Sequence, residues 1–462
     1  MHYAFLIALL RLCWSIRRHY ARLKLHHTAA RFRFPPGQTL AFRTLLDVSL
    51  TAMVSVGEAT FGLLNPSLIA SIVRAYLASS TLRGARYGPH AMNVADVLFP
   101  QAGSESAVAA PSNSPLRRPV IVFVRGGAWA WGMRVAYASF CQALATATGA
   151  VVVNADYRVY PHGGACEMAA DIVACLKWCR DSAAQWGCDS EHLVLCGHSA
   201  GAHLVLLAST LIARAAAAQA PLQDAPATPL VKELPPEKAL GDGRALAPAT
   251  RAPAHSCALP PESLACAGEL SAALRCCVGF AGVYHIADHH AHEASRVLRA
   301  GQLTVARGVA HVSPMHPAMG GHADFDAHSP SLAVGALSRA QVTHMPRILL
   351  LHGDADAVVP SRSSERLHGA CLLAGVRCTL RVVPGQDHAT ALVEAMRGGG
   401  EGEWVLAAAR SACAAGNGCL EEGADGAADG GDAVAWTAAM AAAAVLKAPV
   451  GQGVNDSFPA NT

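Results

Sequence analysis

The sequence predicts an α/β fold built on a mostly parallel, doubly wound sheet. Three observations carry this. Residues 120–124 (Val-Ile-Val-Phe-Val) and 150–154 (Ala-Val-Val-Val-Asn) are short, continuous, β-branched runs, the pattern of strands buried on both faces. They alternate with helical patterns at 137–148 and 165–186, the second carrying apolar residues at three- and four-residue steps. Finally, the apolar run 192–196 passes through Gly197-His198-Ser199-Ala200-Gly201 into an Ala-rich apolar stretch, which reads as a strand, a sharp turn with a serine at its tip, and a helix.

Composition bounds the rest. The 462 residues could fill two or three average domains, or one α/β domain with insertions. With 52% hydrophobic and 15% charged residues, the chain can bury a large core. A net charge of +3 excludes nucleic acid as a charge-driven partner. The cysteine count is odd, 15, with no C-x-x-C pair, and Cys141, Cys175, Cys196, Cys276 and Cys277 sit in apolar runs. This predicts buried free thiols in a reducing compartment rather than a disulfide framework; Cys413 and Cys419 could pair, but nothing requires it.

The elements divide the chain into four regions. Residues 1–44 form a basic segment, with Arg11, Arg17, Arg18, Arg22, Lys24, Arg31, Arg33 and Arg43 and no acid before Asp47. It reads either as an organelle transit peptide or as a segment drawn to anionic lipid. Residues 45–78 are apolar, and 45–64 would span about 30 Å as a helix. Asp47 can snorkel at the edge of this stretch, whereas Glu58 at mid-bilayer would cost roughly 3 kcal/mol. The segment is expected to be membrane-associated, the alternative being an amphipathic cover for the domain that follows. That domain is 85–411, with edge strands at 86–88 and 93–100 and a polar loop at 101–119. It carries an Ala- and Pro-rich insertion at 214–270, expected to be disordered. The sheet resumes at 275–282, and a His-rich cap or lid is expected over 284–345. A strand at 347–353, a helix at 361–374, a strand at 379–383 and a helix from 388 to 397 complete it. The low-complexity tail is 412–462, in which 433–447 could be helical.

The chemistry follows from the turn at Ser199. A serine hydroxyl needs a base to act as a nucleophile. In a strand–turn–helix fold of this kind the acid and histidine follow the serine in sequence. Asp356 and His388 stand just after the strands at 347–353 and 379–383, at C-terminal strand ends where open α/β sheets bind ligands. Asp354 is the rival acid. Gly126-Gly127-Ala128 after the strand at 120–124, with the amide of Ala200, can supply an oxyanion hole. Trp129 and Trp131 could wall an apolar pocket or pack in the core, and His198 adjoins the nucleophile in the substrate-binding set. Histidines 285, 289, 290, 292, 311, 316, 322 and 328 match no tetrahedral ligand spacing and read as solvated lid residues. No metal and no cofactor is expected.

These motifs resemble the α/β-hydrolase superfamily, and within it the plant isoprenylcysteine α-carbonyl methylesterases. The similar residues are Gly126-Gly127-Ala128-Trp129, Ala155-Asp156-Tyr157-Arg158 with Pro161, Gly187-Cys188-Asp189, residues 197–203, Gly282-Val283-Tyr284, Ser329-Pro330, 352–360, His388 and Met396-Arg397-Gly398-Gly399. The resemblance implies a serine carboxylic-ester hydrolase that removes the methyl ester of prenylated cysteine through Ser199, Asp356 and His388. The spacing of Asp356 from Val359-Pro360 matches the family pattern and favours it over Asp354. The resemblance further implies membrane lipid as a partner through residues 1–78, at the endoplasmic reticulum or Golgi with the catalytic domain facing the cytoplasm; a soluble cytoplasmic or organelle-targeted protein is the alternative. Arg125 stands where the family has histidine, and His198 where the plant enzymes carry glutamine. Residues 197–204 are also similar to arylformamidases, which act on N-formylkynurenine. A general carboxylesterase and a non-catalytic hydrolase-fold receptor are the remaining readings.

Overall fold

The computed structural model describes residues 2–29, 31–78, 81–100, 118–219, 257, 259–295, 298–300, 303–305 and 308–414. Ten strands are formed among these: β1 (Thr81–Arg86), β2 (Val94–Leu98), β3 (Arg118–Val124), β4 (Val151–Ala155), β5 (Cys188–His198), β6 (Leu274–Phe280), β7 (Leu298–Ala300), β8 (Leu303–Val305), β9 (Arg347–Gly353) and β10 (Cys378–Val383). Eight form one sheet in the order β1-β2-β4-β3-β5-β6-β9-β10, while β7 and β8 pair as a separate hairpin. β1 and β4 run antiparallel to β2, and every later pair in the large sheet is parallel. This is the α/β-hydrolase fold, as expected.

Three helices precede the sheet: α1 (His2–Thr28), α2 (Leu40–Leu64) and α3 (Pro66–Leu77). α4 (Ala138–Thr148), α5 (Ala165–Ser182) and α6 (Ala200–Gln219) are the crossovers around the central strands. Short helices α7 (Pro261–Ala265) and α8 (Ala267–Ala273) lead into β6. Over the sheet lie α9 (Ile286–Ser295), α10 (Met315–Ala318), α11 (Pro330–Gly335) and α12 (Arg339–Val342). α13 (Arg362–Ala374), α14 (Thr390–Arg397) and α15 (Glu403–Ala414) follow.

Alternation along β3 explains the two-sided core. Val120, Val122 and Val124 face the layer of α5 and α6, while Ile121 and Phe123 face α4, α14 and α15. Successive strand side chains point to opposite faces, so a run without polar residues needs a helix layer on each. α6 is the one described helix long and apolar enough to cross a membrane, and 89% of its 18-residue apolar stretch is buried inside the protein; it is the core helix that carries the serine turn.

Several expectations are corrected. The 214–270 stretch is ordered at both ends: α6 continues to Gln219, and α7 and α8 occupy 261–273. Alanine's helix propensity extends α6, and Pro261 opens α7 at the first helical position, where its fixed φ suits the helix. Residues 220–256, and the possible helix at 433–447 in the tail, lie outside the described residues. Cysteines 141, 175, 196, 276 and 277 are buried and free, but Cys166 and Cys257 form a disulfide, tying the start of α5 to the far end of the insertion. That pairing joins residues 91 apart in sequence, beyond the reach of any spacing rule.

The N-terminal region also behaves differently from a free anchor. Asp47 does not snorkel: it is buried, and its carboxylate accepts from Arg43 Nη2 at 2.7 Å and Tyr160 Oη at 2.7 Å. Arg43 is fully buried and reaches the carbonyls of Val312 and Ser313. Phe32 packs its ring on Tyr160 at 4.9 Å. Farther on, Ser71 Oγ donates to the Met396 carbonyl at 2.6 Å, placing α3 against α14. These contacts pack the N-terminal helices against the α/β domain that follows.

Candidate active site

The serine turn is built from steric necessity. Ser199 sits at φ 55°, in the left-handed region, a conformation that costs an L-residue roughly 1–2 kcal/mol. Its amide donates to the Phe280 carbonyl at 2.8 Å, pinning the turn to the end of β6. A Cβ at Gly201 would lie 2.1 Å from the Val124 carbonyl oxygen. Only glycine lets α6 start so close to the end of β3. The turn thus holds Ser199 half-buried above the sheet, at the N-terminus of a helix whose dipole favours negative charge.

Two loops bring the other predicted residues to it. His388 Nε2 is 2.9 Å from Ser199 Oγ, and His388 Nδ1 is 2.7 Å from Asp356 Oδ2. Asp356 also accepts from the amides of Val358 and Val359 at 2.8 and 2.9 Å. Burial opposes ionisation of this carboxyl, but hydrogen bonds from His352 and His388 and the amide of Val359 outweigh it and hold the group well below the usual carboxylate range. Asp354, the rival, instead accepts from the Gly385 amide at 2.6 Å and braces the turn after β10. Asp387 caps the start of α14 through the amides of Ala389 and Thr390. His388 is thereby held between two anchored loops.

The third component is the loop after β3. Gly127 has φ 129°, and a Cβ there would sit 2.1 Å from the Trp131 carbonyl oxygen. Ala128 and Trp129 follow at φ 47° and 59°, two consecutive side-chain-bearing residues in a disfavoured region. Their conformation is over-determined by contacts. The Tyr160 amide donates to the Trp129 carbonyl at 2.8 Å. Trp129 Nε1 donates to His203 Nδ1 at 3.1 Å, and His203 Nε2 donates to the His328 carbonyl at 2.7 Å. Burial pushes the His203 pKa down to about 4, so it stays neutral and can accept that bond. Trp129 is 2% exposed and packs in the core, settling one of its two readings; Trp131 is half-buried.

Arg125 replaces the expected histidine with a larger device. Its buried guanidinium donates from Nε to Asp156 at 2.7 Å and from Nη1 to the carbonyls of Gly126 at 3.3 Å and Trp131 at 2.6 Å. The guanidinium carbon lies 4.8 Å from the Tyr157 ring centre, and Tyr157 Oη donates back to the Arg125 carbonyl at 3.0 Å. Burial disfavours the charge, yet Tyr157 and Asp156 outweigh it and raise the pKa above its ordinary value. The arginine staples the two ends of the glycine loop together.

Two further assignments change. His198 contacts the Tyr137 hydroxyl at 3.0 Å and the His388 carbonyl at 2.9 Å. Burial, with the nearby His388, lowers its pKa to about 3. It supports the histidine loop instead of joining a substrate surface. The cap histidines are not uniformly solvated: His285, His289, His316 and His328 are buried. His290, His316 and His322 cluster around Phe325 with ring centres 4.6–6.1 Å apart. Imidazole bodies pack as aromatic rings when neutral, which spacing alone does not reveal. The roles of His352, Tyr137, Tyr160 and His203 are not legible in the sequence for the same reason: each acts through contacts between distant segments. Cys166, Cys257 and His328 bring their donor atoms within 4.8 Å of one another, but the sulfurs are spent on the disulfide, and a metal needs thiolates.

Comparison with known proteins gives a consistent set of likenesses. Residues 107–224 match the BD-FAE family model. The "Probable isoprenylcysteine alpha-carbonyl methylesterase" of Oryza sativa subsp. japonica is 26% identical over 339 residues, covering 73% of this chain and 64% of that protein. A second probable isoprenylcysteine alpha-carbonyl methylesterase, from Arabidopsis thaliana, is 24% identical over 339 residues, covering 73% of this chain and 64% of that protein. The chain therefore spans 64% of the length of these relatives. Among solved structures, esterase B from Lactobacillus rhamnosis is 17% identical, covering 78% of this chain and 96% of that one, with a TM-score of 0.47.

Proposed function

We propose that the chain is a serine carboxylic-ester hydrolase whose substrate is the methyl ester of prenylated cysteine. The observation that carries the chemistry is the continuous hydrogen-bonded line from Ser199 Oγ through His388 to Asp356, at the tip of a strained strand–helix turn. In this reading His388 Nε2 takes the proton of Ser199 as Oγ attacks the ester carbonyl. Asp356, held ionised, fixes the tautomer and stabilises the imidazolium. The amides of Gly127, Ala128 and Ala200 receive the developing oxyanion. Collapse of the adduct breaks the C–O bond to the methoxy group, and His388 returns the proton so that methanol leaves. Water, deprotonated by His388, then attacks the acyl-enzyme, freeing the carboxylate and restoring Ser199.

The likeness to the plant methylesterases supports the choice of ester. So does the surface of the N-terminal helices, where Phe42, Leu45, Met53, Ile69, Val73 and Leu77 are exposed beside a segment without acids before Asp47. Such a surface suits contact with anionic lipid at an endoplasmic reticulum or Golgi membrane, where a prenyl chain would partition. Turnover of S-farnesylcysteine methyl ester and of N-formylkynurenine by the intact protein and by Ser199→Ala tests the reading. Ser199-dependent preference for the prenyl ester is expected. Preference for the formamide would reassign the substrate, and absence of Ser199 labelling by a fluorophosphonate would leave a binding protein. For the lipid contact, Leu45→Glu with Met53→Glu should reduce sedimentation with phosphatidylserine vesicles; unchanged sedimentation would remove it.

A further inference from the structure

We propose that helix α2 is part of the support of the oxyanion loop, and that Asp47 is a positioning residue for it, acting through Tyr160. This rests on the reading of the site as an ester hydrolase.

The loop's difficulty is Ala128 and Trp129, both left-handed and neither glycine. Each such residue costs of order 1–3 kcal/mol and persists only where its surroundings dictate it. Two of the anchors, Arg125 and His203, stand just after β3 and on α6. The third is the Tyr160 amide on the Trp129 carbonyl, and Tyr160 is itself held from outside the catalytic domain. Its hydroxyl donates to Asp47 Oδ2 at 2.7 Å. Its ring lies between Phe32, 4.9 Å away, and the Arg43 guanidinium, 5.7 Å away. Asp47 is in turn fixed by Arg43, on Oδ1, and by His19 Nε2 at 3.2 Å.

A second contact comes from the same face of the helix. Thr51 lies one turn beyond Asp47, and its hydroxyl accepts from Trp131 Nε1 at 3.3 Å. α2 therefore touches the loop system on both sides of Ala130, through Tyr160 to Trp129 and through Thr51 to Trp131. A cavity of about 180 Å³, lined in part by Asp47, Thr51, Trp131 and Tyr160, marks this junction. A merely structural cover would bury apolar area and leave the loop to the catalytic domain. Here a buried carboxylate and its phenol partner are aimed at a residue that needs holding.

The test uses the full chain with Tyr160→Phe, which keeps the amide and the ring but removes the hydroxyl, and with Asp47→Asn, which keeps the shape. p-Nitrophenyl acetate reports turnover, and an alkyl boronic acid, which forms a tetrahedral anion on the serine, reports oxyanion binding. Loss of an oxyanion donor typically costs 10²–10³ in rate, and a loosened loop should show part of it, about tenfold. The expected result is a fall in kcat and a matching loss of boronate affinity for both variants, with KM unchanged. If both fold, melt lower, and keep kcat and boronate affinity within about twofold, Asp47 is structural and the proposal is wrong. If one variant fails to fold, the other decides on the same criterion. If the unsubstituted protein neither hydrolyses the ester nor reacts with a fluorophosphonate, the activity reading has failed and the proposal falls with it.

Discussion

Replacing Arg125 with methionine is the sharpest perturbation of the site's framework. The side chain is fully buried, and methionine keeps its unbranched stem out to the ε position, so the change removes the charge and hydrogen bonds and leaves the outer part of the guanidinium's space unfilled. Breaking a buried ion pair by deleting one partner typically costs 3–5 kcal/mol. The lower end applies, because Asp156 keeps Arg134, whose Nη1 is 2.8 Å from Oδ2 and whose amide is 3.1 Å from Oδ1. Two carbonyls, of Gly126 and Trp131, also lose a charged donor. A loss of about 3 kcal/mol corresponds to a fall of roughly 6 °C in Tm at the slope found for larger domains. Catalysis should suffer separately, since Trp131 bounds the loop whose amides would hold the oxyanion; a fall in kcat of about 10²-fold follows if one donor moves out of place. Differential scanning calorimetry and p-nitrophenyl acetate hydrolysis measure the two effects. Arg125→Lys should keep part of the stability but not the fork, and so recover less of kcat. A methionine variant with unchanged Tm and unchanged kcat would show that the guanidinium holds nothing.

Three further outcomes follow from the geometry. Asp356→Asn should lower kcat by about 10⁴-fold, whereas Asp354→Asn, which disturbs only the brace on Gly385, should cost less than about tenfold; steady-state kinetics of the pair would refute the assignment if the order were reversed. Acid should destabilise the protein early. His198 and His203, with pKa values lowered to about 3 and 4, are buried neutral, so their contribution is fully present above the unfolded value of about 6.5 and is lost as pH falls towards the folded values; urea midpoints should drop between pH 6.5 and 4, less so in His203→Gln, and a flat profile would contradict this. Gly201→Ala should fail to give folded protein or lose at least 3 kcal/mol, because the added carbon meets the Val124 carbonyl at 2.1 Å; recovery of a soluble, active alanine variant would show the elbow to be looser than its geometry.

What could be read in the sequence follows from which forces are local. The central strands and their crossover helices were legible because β-branched runs and helical periodicity act over a few residues. The serine turn was legible because its Gly-x-Ser-x-Gly pattern is local, although the contact that demands Gly201 is with the distant Val124 carbonyl. His388 was legible because chain order and a strand end place it, whereas the same signals left Asp354 and Asp356 open and only the family resemblance separated them. Arg125 stood out as a departure, but its role did not, since Asp156 and Trp131 meet it only in the folded chain. The same holds for Asp47. Read in sequence it is an acid at the edge of an apolar stretch, fit to snorkel; in the fold it is a buried carboxylate with Arg43, Tyr160 and His19 upon it. Hydropathy sees an apolar helix and cannot tell whether lipid or protein covers it.

The described residues with left-handed backbone and a side chain are Ala128, Trp129, Ser199 and Ala281. They stand just beyond β3, β5 and β6, three neighbours in the sheet. Scattered strain would be a defect, whereas strain gathered at adjoining strand ends has a common cause: the chain must turn sharply there to present backbone amides and a serine to one point. At about 1–3 kcal/mol each, these residues could consume much of a domain's net stability. The cost is offset locally, because each sharp turn is tied to an adjacent segment. The Ser199 amide bonds to Phe280, the Ala281 amide to Leu351, and the Trp129 carbonyl to Tyr160. The ties run from β5 to β6, from β6 to β9, and from the glycine loop after β3 through Tyr160 to Asp47 on α2. Each tied residue is held by a strand or loop remote in sequence, so the site can assemble only when the sheet is complete. A partly folded chain would have a serine and a histidine but no means of keeping them 2.9 Å apart.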